Sequence, residues 1–113
     1  MATINVEYQD QVTIVALDGS LAGIEVRELQ PRFNAITHAP GRRLVVDLSN
    51  VEILNTPAIS LFISSVMYQR EHGGKVVFTG TEGTIDRLLK LCKLDAVMCV
   101  VNDRAAAIAE AAR

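Results

Sequence analysis

Arg43-Leu44-Val45-Val46-Asp47-Leu48-Ser49-Asn50-Val51-Glu52-Ile53-Leu54-Asn55-Thr56-Pro57-Ala58-Ile59 is the stretch that decides the reading of this chain. Leu44 to Leu48 is nearly continuous in apolar character, the pattern of a strand covered on both faces at the centre of a sheet. Ser49-Asn50 then reads as a polar turn, and Val51 to Leu54 as a short apolar approach. Thr56 reads as the hydroxyl on which a helix opens. Pro57 suits the first helical position, where no amide donor is needed. Ile59, Phe62, Ile63, Val66 and Met67 recur at i, i+3, i+4, i+7 and i+8, the apolar face of the clearest helix in the sequence. Gly73-Gly74 supplies its left-handed exit.

Working outward from that stretch, Ile4, Val6 and Tyr8 alternate with polar residues as a half-buried strand. Val12 to Leu17 is a second strand, joined to the first by a short polar turn and therefore paired antiparallel as a hairpin. Asp18-Gly19-Ser20 marks its end. From Ile24 to His38 the spacing turns helical, with Ile24, Leu29, Phe33 and Ile36 on one face. Pro31 within it predicts a kink or a restart, and Ala39-Pro40-Gly41 closes the segment. On the C-terminal side, Lys75 to Thr79 is a strand, Ile85, Leu88, Leu89 and Cys92 mark a helix, and Val97 to Val101 is a fifth strand. Asp103 caps a last helix over Arg104 to Ala112, whose apolar residues are mostly Ala and pack weakly. The order ββαβαβαβα implies right-handed crossovers between parallel strands after the hairpin. The expected fold is α/β: a mixed sheet of about five strands with about four helices mostly on one side, forming a single domain over residues 1–113.

Composition narrows the function. The chain has 113 residues, 50% of them hydrophobic, and a net charge of −2. That size suits one domain with a real core. The charge argues against a nucleic-acid partner, whose phosphates need a basic surface. No apolar run is long enough to insert in a membrane, and Met1-Ala2-Thr3-Ile4-Asn5 lacks the regions of a signal peptide. A cytoplasmic location is expected. Cys92 and Cys99 form neither a CxxC pair nor a disulfide framework, and read as small buried apolar residues. His38 and His72 lie far apart, each near a helix end, where a cation suits the carbonyl dipole. No metal site and no cofactor are expected, since no Walker loop, EF-hand or HExxH motif occurs. No nucleophile and base pair can be placed, so the chain is not expected to be an enzyme.

This order of elements, with Val46-Asp47-Leu48-Ser49-Asn50-Val51 running into Asn55-Thr56-Pro57-Ala58-Ile59, resembles the STAS domain, and more closely the stand-alone bacterial anti-sigma-factor antagonists. The resemblance covers nearly the whole chain. In that family the third strand ends in Asp or Asn, matched by Asp47. The second helix opens on an Asp-Ser-Ser-Gly-like motif, whose regulated hydroxyl falls on Thr56. Gly73-Gly74-Lys75 resembles the family's Gly-Gly turn. Ile85, Arg87, Leu88 and Leu89 match its third helix, and Leu94 the apolar position after it. The chain departs from the motif at Asn55, where Asp is usual, at Pro57, where the second Ser is usual, and at Ala58, where Gly is usual. Gly19-Ser20-Leu21-Ala22 lacks both acids of the Gly-Glu-Leu-Asp-like loop after the second strand, and Lys93 replaces a frequent Gly.

The resemblance implies a regulatory binding module that switches partners: an anti-sigma-factor antagonist engaging an anti-sigma factor with serine-threonine kinase activity, with a phosphatase to reverse the modification. Its docking surface would be the loop from Asp18 to Gly23 with the turn from Leu54 to Ser60. The residues concerned are Asp18, Gly19, Ser20, Ala22, Gly23, Asp47, Asn55, Thr56, Pro57, Ala58 and Ser60. A homodimer stays open. The alternative is a STAS scaffold subunit that grips the ATPase of a transport complex without a phosphorylation cycle. Thr56 itself has two readings, a helix cap that accepts an amide proton from the first turn or a phospho-acceptor at a helix N-terminus. Asp47 likewise reads as a turn former or as part of the partner site. Ser60 and Ser64, four apart, share a helix face.

Overall fold

The computed structural model describes residues 2–113. A sheet in the order β1-β2-β3-β4-β5 forms the middle layer. Its strands are β1 (Ala2–Gln9), β2 (Val12–Leu21), β3 (Arg43–Leu54), β4 (Lys75–Thr79) and β5 (Cys99–Val100). β1 pairs antiparallel with β2, and the remaining pairs are parallel. The connecting helices are α1 (Ile24–Thr37), α2 (Thr56–Glu71), α3 (Thr84–Leu91) and α4 (Arg104–Ala112), with one 3-10 turn at Leu94–Ala96. The predicted order and the mixed α/β class are both present.

Strand alternation divides the core in two. Leu44, Val46 and Leu48 of β3, with Val15, Leu17, Val76 and Phe78, face α1, α2 and α3. The rings of Phe33, Phe62 and Phe78 meet in sequence there, at centroid separations of 5.8 and 5.5 Å. Val45, Val12, Ile14 and Val77 face the other way, against Ala107, Ile108 and Ala111 of α4. Three helices thus cover one face and α4 alone the other. Buried Gln69 locks the lower end of the larger layer. Its amide donates to Thr37 O and Ala39 O, each at 2.7 Å, and accepts from Arg42 N at 3.0 Å. A buried amide with its donors matched to carbonyls from one turn fixes that turn against α2.

Several boundaries differ from the sequence expectation. β3 does not turn at Ser49-Asn50 but runs on to Leu54, and β2 does not end at Asp18-Gly19-Ser20 but runs to Leu21. The two strands pair through Leu21↔Leu54, with register shifts between Ala16 and Asp18 and between Gly19 and Ser20. Backbone pairing satisfies these polar residues' main chain, and the irregularities let their side chains face water. β4 pairs with β3 only as far as Asp47↔Thr79. The β2–β3 pair therefore projects beyond β4. α1 continues through Pro31 without a restart. Val26, not Ile24, takes the buried position in its first turn, and Ile24 is 65% exposed. On α2, Ile59, Phe62 and Val66 are buried, Ile63 is half-buried and Met67 is exposed. β5 is two residues long rather than five, and Cys92 and Cys99 are exposed rather than buried. His38 and His72 do end α1 and α2 as C-caps.

Candidate functional site

The projecting ends of β2 and β3 carry the candidate site. From Leu21 the chain passes through Ala22 and Gly23 into α1; from Leu54 it passes through Asn55 into α2. The two strands are parallel, so both helices start at the same end of the sheet, with their positive dipole ends on one surface. A bond from Asn55 N to Leu21 O at 3.2 Å joins the two exits. Gly19 and Gly23 adopt φ of 101° and 62°, a region that favours glycine. Gly23 stands at the N-cap of α1 without a side-chain acceptor.

Asn55, not Thr56, is the cap of α2. Its backbone is extended, and its Oδ1 accepts from Ala58 N at 3.3 Å. Thr56 is the first helical residue and Pro57 the second. Asn and Thr are both good capping residues, but only the first of an adjacent pair can hold the extended conformation before the helix. The consequence is chemical. Thr56 is exposed, and among the described residues its hydroxyl has no hydrogen-bond partner. No acidic residue lies in the first turn of α2. An anion on the Thr56 oxygen would meet the helix dipole and face water.

The remaining expected site residues do not all gather at this mouth. Asp18, Gly19 and Ser20 lie within β2 rather than in a loop, Asp18 exposed and the other two half-buried. Ala22 is half-buried, Gly23, Pro57 and Ser60 are exposed, and Ala58 is buried against the core. Asp47 is engaged elsewhere. It is 8% exposed on the α4 side of the sheet. Its carboxylate accepts from Ser49 N at 2.9 Å and from the Ser49 hydroxyl, and pairs with the Arg104 guanidinium at 3.4 Å. The Ser49 contacts are the local bonding expected of a turn-forming Asp, made here inside a strand. The ion pair ties the start of α4 to the sheet.

Two features of this surface escaped the sequence reading. Ile24 and Ile53 are 65% and 55% exposed, an unusual state for large apolar side chains at one end of a domain. A cleft of about 560 Å³ also runs from the mouth down the seam between α1 and α2, with Arg27, Gln30 and Asn34 on one wall and Pro57, Ser60 and Ser64 on the other. Ser60 and Ser64 share a face as their spacing implies. At the lower end Ser64 Oγ meets His38 Nε2 at 3.1 Å. The only sequence signal for this cleft is the absence of charge along α2 between Thr56 and Gln69.

A family model described as the STAS domain matches residues 3–107. An anti-sigma factor antagonist from Mycobacterium paratuberculosis is 23% identical, with 100% of this chain and 96% of that chain covered and a TM-score of 0.84. An anti-sigma-factor antagonist (STAS) domain protein from Planctomyces limnophilus is 22% identical, with 98% of each chain covered and a TM-score of 0.85. The Bacillus cell fate determinant SpoIIAA in its phosphorylated form is 10% identical, with 92% of this chain and 96% of that chain covered and a TM-score of 0.67. At these identities the likeness is one of fold. Among the described residues no helix is long and apolar enough to cross a membrane.

Proposed function

The chain belongs to the STAS domain family, and on that premise we propose that it is a non-catalytic, cytoplasmic anti-sigma-factor antagonist. It binds an anti-sigma factor with serine-threonine kinase activity through the mouth formed by the ends of β2 and β3, and Thr56 is the residue on which the kinase acts. The observation that carries this reading is the division of labour at α2: Asn55 does the capping, which leaves the exposed Thr56 hydroxyl free to be modified. Phosphate there adds about −1.5 to −2 charge at neutral pH. The helix N-terminus tolerates that charge, whereas a docked partner surface has to desolvate it. Unmodified protein binds and modified protein lets go.

Incubation with a purified anti-sigma-factor kinase of the same host and ATP tests this directly. Intact mass is expected to show one added phosphate on the wild type and none on Thr56→Ala. Thr56→Glu is expected to weaken binding of that kinase, and Thr56→Ala to preserve it. Equal affinity for all three variants would remove the switch.

One observation favours a second reading. Asn55 is neutral and the first turn of α2 has no acid, so no carboxylate beside Thr56 is available to orient its hydroxyl or to hold a cation. A scaffold subunit that grips a transport ATPase needs no such group. That reading predicts no phosphate uptake and tight binding to an ATPase encoded beside this gene, in place of a neighbouring serine kinase and phosphatase.

A further inference from the structure

The α1–α2 cleft carries an inference that rests on this reading and names what the partner must present. Arg27 is the one charged side chain lining it, and among the described residues Arg27 has no ion-pair partner. Of the acids around the mouth, Glu25 stands in the first turn of α1 with its carboxylate near Gly23, and Asp18 and Glu52 lie on β2 and β3; none of the three lines the cleft. The opposite wall is uncharged and low, since Ser60 and Ser64 are small and Pro57 and Leu61 are apolar. Asn34 lines the same seam, and its Oδ1 is buried with no hydrogen-bond partner. Buried amide oxygens are normally satisfied. An exposed helix face without charge, set against one unpaired guanidinium and one unsatisfied amide, is furnished for a protein segment rather than for bulk water.

We propose that the partner's footprint continues from the Thr56 mouth into this cleft. There it seats a segment that carries a carboxylate for Arg27 beside a small apolar group against Pro57 and Leu61. Arg27 is then the residue that selects an acidic partner segment, by a charge-assisted pair partly shielded from water. The same arrangement explains why modification at Thr56 acts on binding. Thr56 precedes Pro57 of the cleft wall, so a phosphate on it repels the seated carboxylate and competes with it for the guanidinium.

The test measures the affinity of a purified anti-sigma-factor kinase of the same host for five proteins: wild type, Arg27→Glu, Arg27→Ala, Ser60→Trp and Thr56→Glu. Arg27 and Ser60 are exposed, so unchanged thermal melting serves as the folding control. Arg27→Glu is expected to weaken binding about tenfold or more, through a lost attraction and a new repulsion. Ser60→Trp, which fills the cleft, is expected to do the same by steric exclusion. Arg27→Ala is expected to flatten the salt dependence of binding. Wild-type affinity in both Arg27→Glu and Ser60→Trp, with binding lost in Thr56→Glu, overturns the cleft while leaving the mouth as the docking site. Loss in the two cleft variants with none in Thr56→Glu supports the cleft and overturns the phosphate switch. A kinase that fails to bind the wild type overturns both.

Discussion

Asn55 and Thr56 are neighbours with similar chemistry and different work, and stability measurements separate them. Asn55 Oδ1 holds Ala58 N, one of the amides that a helix start otherwise leaves unsatisfied. Asn55→Ala is expected to cost about 1 kcal/mol in urea unfolding. Thr56→Ala removes a hydroxyl that bonds nothing, and is expected to stay within about 0.5 kcal/mol of wild type. The reverse order would return the cap to Thr56 and tie its oxygen to the fold. The sequence placed the helix start to within one residue. The last step was illegible because Pro57 fits either of the first two helical positions. Asp47 shows a different limit. Its local bonds to Ser49 follow from spacing, but its pairing with Arg104 joins residues far apart in the chain, and nothing in the local pattern announces it.

At the scale of elements, α4 shows how composition can mislead. A helix whose buried residues are Ala107, Ile108 and Ala111 offers little side-chain area for packing. The small side chains instead let it lie close on Val12, Ile14, Val45 and Val77, and Ala107 and Ala111 are fully buried. Both alanine side chains are therefore sealed between helix and sheet. Ala107→Leu is expected to destabilise by about 1–3 kcal/mol through overpacking, although leucine is a good helix former and raises apolar content. A neutral or stabilising result by thermal or urea unfolding would mean that α4 rides loosely on the sheet. Element order and type were readable because short apolar runs such as Leu44 to Leu48 and Lys75 to Thr79 alternate with longer segments closed by Ala39-Pro40-Gly41 and Gly73-Gly74. Strand ends were not. β2 and β3 run past Asp18-Gly19-Ser20 and Ser49-Asn50 because each supplies the other's backbone partners, a tertiary effect that overrides local turn preference. The proposed docking mouth stands on this extension, so its loop is shorter than turn chemistry alone suggests.

The whole molecule is a sheet covered unequally, and its charges help hold the thinner layer. Arg104 at the start of α4 reaches Asp47 and Glu7. At the other end Glu110 pairs with Lys75 at 3.1 Å and with Arg113 at 2.8 Å. The same coverage explains the cysteines. β5 is short and stands at the sheet edge, so Cys99 emerges where a longer, covered strand would have buried it. The hydrogen bond and charge of Lys75, with a smaller contribution from Arg113, lower the Glu110 carboxyl below its ordinary value of 4.5. A carboxylate whose folded pKa lies below its unfolded one holds fewer protons in the native state. Its contribution to stability is complete above the unfolded value and disappears as pH falls through the folded one. The pair is only half-buried and its partner Arg113 is exposed, so the contribution is small and screened by salt. Glu110→Gln is therefore expected to lower the Tm slightly near about pH 7, by a difference that shrinks from neutral pH into acid as the pH falls through the lowered carboxyl pKa. The measurement is the difference in Tm between the two proteins across that range at low ionic strength. A difference that persists unchanged into acid would assign the role of Glu110 to packing of its side chain against Lys75, and would leave α4 held by its buried Ala107, Ile108 and Ala111, by Arg104, and by Arg43 on the carbonyls of Ala111 and Arg113.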